Sequence, residues 1–472
     1  MRDRQKACCQ FSQSTTRREM LRQSAGGFGQ IALAALASQA CAGPVSRTLP
    51  AHLPPRAKRV IFLFMWGGPS QVDFFDPKPH LNAHDGQDLS GQSVGVNTKS
   101  LGKVLGSPFR FAQHGEGGVW ISELLPHLAQ QADRLCVINS MYTDHLEHFE
   151  ATLAMHTGST TVPLPSMGSW LSHALGTFNP NLPSYMLLAK DMPYAGAQNW
   201  DSNFLPAQHQ GVRLVPGPKP IPNLSSPAKS LHLRELEERM LRDFNQMHAG
   251  RKDYDPSLLA RMGSFKTAKG MMEFAPEAMD VASESSATRD LYGLGRKDNQ
   301  SFAWQCLVAR RLSQRGVRVV ELFHTGSDLE KNWDNHEDVG KLSGLSRQVD
   351  QPIAALIQDL KGLGMLDDTL VVIATEFGRT PYERKPDHQG RNHLKDVFTC
   401  MLAGGGVKSG FVYGKSDEHG IEVAEDGVHV HDLHATILHL MGLDHTRLTY
   451  HYGGRDFRLT DVHGKVLGDL IA

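Results

Sequence analysis

Acids and histidines recur in this chain directly after short apolar runs, a pattern that suits metal-ion chemistry. Glu376 and Arg379 stand in TEFGRTP at the end of one such run, and His393 follows in the GRNH loop. A carboxylate placed there is a candidate cation ligand, and a guanidinium three residues on suits a tetrahedral oxyanion. Asp334 and His336, in WDNH, offer a hard oxygen and a borderline nitrogen on nearby backbone. That chelate suits Zn, Mn or Fe rather than Ca, with a surface turn as the plainer alternative. Asp73, in GGPSQVDFFDPKP, is either a cation ligand or a turn cap. His145 and His148 lie three apart, on one face if helical, where they could reach a metal or an anion. His434, in VHVHDLHATILHLMGL, is expected in the first turn of a helix capped by Asp432. Asp73, Asp334, His336, Glu376, His393 and His434 together could hold two divalent cations, the arrangement that clamps a phosphoryl or sulfuryl group in displacement.

The elements that must position these residues are legible as apolar runs. Arg59 to Trp66, Arg134 to Ser140, Val317 to His324 and Thr369 to Thr375 read as buried parallel strands. Helical patterns lie between them, at Ser301 to Arg315, Val349 to Leu363 and Asp432 to Met441. Strands alternating with helices predict an α/β fold, a mostly parallel central sheet flanked by helices, with the ligand crevice beyond the carboxyl ends of its strands. Pro163 to Asn223, rich in Pro, Asn, Gly and aromatic residues, is expected as an ordered excursion over that crevice. Ser225 to Gln246 reads as one amphipathic helix of mixed charge, a solvated cap element, and Met279 to Asp290 as a polar loop. The organisation predicted is a signal segment over 1–42, then one large domain over 43–472 with a long insertion around 163–297.

Composition narrows the partners. A net charge of −1 over 472 residues leaves no basic footprint for nucleic acid and no polybasic membrane patch. The 24 histidines raise the expectation of a metal site. Thr16 to Arg22 contains twin arginines, followed by a weakly apolar Gly/Ala-rich run from Gly26 to Ala40 that is too short to span a bilayer. This predicts twin-arginine export to a periplasmic or extracytoplasmic location, with cleavage near Ala42 and no transmembrane segment afterwards; Cys41 is a possible lipid anchor. Of the six cysteines only Cys136, Cys306 and Cys400 would remain after cleavage at Ala42, an odd number in apolar stretches, so neither a disulfide scaffold nor a zinc knuckle is expected to organise the fold.

Several motifs together resemble a known family. FLFMWGGPSQVDFFDPKP, PSMGSWLSHALG, WDNH, TEFGRTP, GRNH, AGGGVKSG and the long HDLHATILHLMGLDHTRLTYHYGGRDFRLTDVHG are similar to an exported bacterial family of unknown function labelled sulfatase-like, within the alkaline phosphatase superfamily. The resemblance implies a sheet of that superfamily's type with a bimetal centre at its carboxyl edge, Zn first, with Mn or Ca as alternatives. It implies Asp73, Asp334, His336 and His434 as ligands, Glu376 as the late-strand acid, and His393 supplying the imidazole that Phe377 displaces. The sulfatase nucleophile motif is absent: the corresponding region reads TDHLEHFEA, where Thr143 is the only hydroxyl and His148 lies near the nucleophile's place.

Two functions remain open on the sequence. One is a metal-dependent hydrolase or transferase of sulfate or phosphate esters, with Thr143 or water as nucleophile, His148 as metal ligand or acid/base, and Arg379 on the ester oxyanion. The other is a non-catalytic binding or assembly protein that recognises a polysaccharide through the Trp170 to Trp200 region.

Overall fold

The computed structural model describes residues 51–88, 103–224, 230–250, 256–295, 298–325, 332–383 and 389–472. The twin-arginine segment and Cys41 lie outside them. The apolar run after Lys58 forms strand β1 (Arg59–Met65), buried throughout except at its first residue. Further strands are β2 (Leu135–Tyr142), β3 (Tyr185–Ala189), β4 (Val212–Leu214), β5 (Val319–His324), β6 (Thr369–Ala374), β7 (Gly378–Glu383), β8 (Arg391–Leu394), β9 (Phe398–Ala403), β10 (Phe411–Tyr413) and β11 (Val428–His429). Nine of them make one sheet in the order β10-β2-β9-β6-β1-β5-β3-β4, with β11 also pairing β2. All its ladders are parallel except those of β9, which runs antiparallel to β2 and β6. The four strands expected from apolar runs are β1, β2, β5 and β6, and the mixed, mostly parallel sheet flanked by helices is the fold the sequence indicates.

Burial on both faces explains why these strands read as continuous apolar runs. Ile61, Leu63 and Met65 pack into one cluster with the helices Phe302–Gln314 and Leu342–Gly362. Phe62, Phe64 and Trp66 face the other way, with Met167–Leu175 and Val430–Leu440. Met65 sits opposite His324, and Phe64 opposite Ala374, so β1, β5 and β6 end nearly level. The loops that follow them therefore meet at one edge.

Local structure departs from the sequence expectation in three places. The helix after β2 begins at His148, so His145 precedes it and the two do not share a helical face. The Val430–Leu440 helix is capped by His429, with Asp432 as the reciprocal acid at its third position, so His434 falls in the second turn. Met279 to Asp290 holds a short 3-10 turn and the start of a helix capped by Ser285 rather than a bare loop. Among the described residues no helix is long and apolar enough to cross a membrane.

A buried imidazole makes the fold acid-sensitive. His209 lies with Nδ1 2.8 Å from Ser172 Oγ, and burial, with the nearby His173, pushes its pKa down to about 3. The unfolded chain binds a proton near pH 6.5 that the folded chain refuses, so this histidine costs stability as pH falls from about 6.5 toward 3. Chemical denaturation across that range should show unfolding free energy falling with pH, and His209→Gln should make the slope shallower; an unchanged slope would count against this origin.

Candidate metal centre

The site lies where the loops after β1, β5 and β6 meet the start of the His148–Thr157 helix. Gly67, just past β1, has φ +114°, and a Cβ there would stand 2.4 Å from the Asp334 nitrogen, so only glycine lets the Trp333–Asp334 backbone approach. Gly390 has the same use beneath the next ligand, for its Cβ would meet the His336 carbonyl carbon. Asp334 is held from behind as well: its N–H donates to Asn332 Oδ1 at 3.1 Å, and the Trp333 indole donates to His324 Nδ1 at 2.9 Å.

Four side chains converge on a single oxygen, Asp334 Oδ1. His336 Nε2 lies 2.7 Å from it, Arg379 Nη2 2.7 Å, His148 Nε2 3.1 Å and His393 Nε2 3.3 Å. His336 Nε2 and His393 Nε2 are themselves 3.0 Å apart. Burial opposes the charge of Asp334, but the three imidazoles gathered on it and the Arg379 charge outweigh that and hold the carboxyl far below its usual range.

The far nitrogens of two of these rings are committed elsewhere. His148 Nδ1 lies 2.6 Å from Glu376 Oε1, and His393 Nδ1 donates to the Leu146 carbonyl at 2.8 Å. Glu376 is fully buried, accepting from the Gly67 N–H at 2.8 Å and the Thr375 hydroxyl at 2.9 Å. With protons on Nδ1, the Nε2 lone pairs of His148 and His393 are aimed at an anionic oxygen. Acceptors facing acceptors require a cation between them, either a proton or a metal ion.

The donor set fits a metal. His148, Asp334 and His393 can hold an ion, with ligand atoms all within 4.8 Å of one another, and His336 adds a fourth donor beside them. Separations of 2.7 to 3.3 Å run from somewhat inside up to the edge of a small tetrahedral site, where bonds near 2.0 to 2.1 Å give edges of roughly 3.3 Å. Carboxylate and imidazole together suit Zn or another first-row divalent ion.

The other residues singled out in the sequence are placed differently. Glu376 orients His148 instead of facing the ligand atoms. Arg379 spends its donors on the Gly67 and Gly68 carbonyls and on Asp334, so it braces the loops with no free edge for an oxyanion. Asp73 is fully buried in a two-pronged ion pair with Arg391, at 2.7 and 3.0 Å. His434 is buried with Nε2 2.7 Å from the Met155 carbonyl, near the far end of the helix that His148 begins. Thr143 follows β2 with its N–H on the Lys395 carbonyl and its buried hydroxyl without a partner; it makes none of the contacts above. Among the described residues one such ligand group is assembled, where two ions were expected. Trp170 and Trp200 are buried, so their rings are core and not a polysaccharide platform.

Sequence reasoning missed Tyr194. Its ring stacks on His148 at 4.5 Å and 11°, and burial with the nearby Asp334 and Glu376 pushes its hydroxyl up to about 12. It comes from the long Pro163–Asn223 excursion, and nothing in its local sequence marks it.

Two substitutions separate ligand from scaffold. Asp334→Ala should remove the bound metal measured by elemental analysis. Asp73→Ala should keep it while lowering unfolding free energy by about 3 to 5 kcal/mol, because it strands Arg391 as a buried unpaired charge. Loss of metal in Asp73→Ala protein that is still folded would return Asp73 to the ligand set.

Comparison with known proteins agrees on family. Residues 57–471 match the family model described as a protein of unknown function, DUF1501. No curated protein matches the chain. Among solved structures, the phosphonate monoester hydrolase SpPMH from Silicibacter pomeroyi is 12% identical over 88% of this chain and 76% of that one, with a TM-score of 0.38. The alkaline phosphatase from the Antarctic bacterium TAB5 is 10% identical, over 82% and 98%, at 0.32. The PsFucS1 sulfatase from Pseudoalteromonas sp. is 11% identical, over 82% and 68%, at 0.35. These likenesses are in outline only, and the chemistry of the site has to be argued from its own side chains. With its match running across nearly all of the described chain, the protein belongs to the DUF1501 family.

Proposed function

We propose that this protein is an exported metal-dependent hydrolase acting on phosphate or sulfate esters. The observation that carries the reading is the convergence of His148, His336 and His393 Nε2 on Asp334 Oδ1, with the opposite nitrogens of two rings already satisfied. His148, Asp334, His336 and His393 would hold a divalent ion that, with its coordination expanded beyond these four, would supply Lewis acidity to an ester oxygen or to water.

The chain's own residues set the conditions for that chemistry. Glu376 fixes the tautomer of His148 and raises its basicity, the carboxylate–histidine arrangement found behind many metal ligands. Arg379 fixes Asp334 from the protein side, so the carboxylate is presented without reorganisation. Tyr194 closes one side of His148 with an apolar face and keeps its proton at neutral pH. The Asp334, His336 and His393 side chains stay partly exposed, so water and a substrate can reach this edge. Among the described residues no hydroxyl or thiol takes part in the contacts among the ligands, which favours water over Thr143 as the attacking group. Export follows from the twin-arginine segment, a route that suits a protein loaded with metal before it crosses the membrane.

The test is turnover of 4-nitrophenyl phosphate and 4-nitrophenyl sulfate by the full-length protein with Zn or Mn. Chelation should abolish it and metal should restore it. His148→Ala should remove it, and Glu376→Gln should weaken metal affinity by about 10- to 100-fold. Turnover indifferent to chelator, or none on either ester by metal-loaded protein, would overturn the proposal.

A further inference from the structure

The helix Leu231–Gly250 is placed the wrong way round for a solvated cap. From His232 to His248 only Arg234, Glu238 and Asn245 are partly withdrawn from solvent, and the rest are exposed. Arg234 and Glu238 face the neighbouring Pro256–Met279 helix: Lys269 Nζ lies 2.6 Å from Glu238 Oε2 and Arg234 Nη2 3.9 Å from Glu273 Oε1, while Arg234 Nε and Glu238 Oε1 pair at 3.0 Å within the helix. The polar face is turned inward. Leu233, Leu236, Met240, Phe244 and Met247 are turned outward, each 42 to 61% exposed.

Their spacing identifies what fits them. The intervals are 3, 4, 4 and 3, which puts all five within an arc of roughly 80° at 3.6 residues per turn. The five form a seam of the kind a helix pair uses, with Leu241, 62% exposed and about 100° round from Met240, at its edge. Acids also flank it, with Glu237 on one side and Asp243 on the other, which disfavours an anionic membrane surface. The pattern is moreover symmetric about Met240: Leu233 and Met247 lie seven residues to either side, Leu236 and Phe244 four. Two copies of this helix laid antiparallel across a two-fold axis at Met240 would set Leu233 against Met247, Leu236 against Phe244, and Met240 against itself. On one flank, Arg239 would come beside the partner's Asp243, opposite in charge. Self-complementarity of this kind is what a two-fold interface demands.

We infer that the Leu231–Gly250 helix is the contact through which two copies of this chain associate as an antiparallel pair centred on Met240. Sedimentation of the full chain should give a species of twice 52.1 kDa. Met240→Glu, which sets two carboxylates against one another on the axis, should weaken that association at least about a hundredfold. The residue is half exposed and outside the core, so circular dichroism should show the fold unchanged. As an independent measurement, in a chain with Cys8, Cys9 and Cys41 replaced by Ser, mild oxidation of Met240→Cys should give a covalent dimer that the same chain without that substitution, whose Cys136, Cys306 and Cys400 are buried, does not form. Leu233→Cys should cross-link far less by itself than when mixed with Met247→Cys. A monomer at every concentration, a dimer unaffected by Met240→Glu, equal cross-linking at all positions, or Met240-dependent binding to neutral phosphatidylcholine vesicles in place of dimerisation would each overturn the inference.

Discussion

The burial of Arg379 constrains everything around it. A guanidinium withdrawn from water is tolerated only when its donors are met, and here they are met by the Gly67 and Gly68 carbonyls, Asp334 and, at 3.3 Å, the Arg391 carbonyl. Those partners sit on the loops after β1 and β5 and on β8. One side chain thus locks three separate stretches of chain at a single edge of the sheet, and Asp334 cannot move without unpairing it. Arg391 repeats the device one layer away, pairing Asp73 while donating to the Leu105 carbonyl at 2.9 Å. The two arginines form a rigid frame, and the imidazoles are hung from it.

That frame explains why the ligand atoms are presented in advance. His148 is oriented by Glu376, His393 by the Leu146 carbonyl, and Asp334 by Arg379, so three of the four donors are held by a group outside the ligand set. Preorganisation of this sort removes the cost of gathering like-polarity groups at the moment of binding. It also accounts for the Gly67 backbone, whose positive φ lets the β1 loop pass close beneath Asp334 and donate to Glu376 at once.

Much of this was legible in the sequence because buried parallel strands leave an unmistakable trace of continuous apolar residues, and polar residues after them must lie at the strand ends. Asp334, His336, His393 and the Glu376–Arg379 pair were found that way. Their division of labour was not legible, since whether a carboxylate faces a cation or a histidine depends on side-chain direction within one loop. The pairing of Asp73 with Arg391 spans 318 residues and leaves no local sign. His434 was misplaced by a register shift: the helix opens at Val430, not at Asp432, and that turn carries the ring into the core beside Met155. Amphipathicity marked the Leu231–Gly250 helix but could not say which face turns inward: the side that meets the next helix carries Arg234 and Glu238, beside its Glu273 and Lys269.

The central claim is that His148, His336, His393 and Asp334 bind one metal ion together. X-ray absorption spectroscopy of the zinc-loaded protein tests it most directly. The account predicts a nitrogen and oxygen first shell near 2.0 to 2.1 Å with outer-shell scattering from about three imidazoles, reduced by about one ring in His336→Ala. A shell containing sulfur, or one without imidazole scattering, would contradict it.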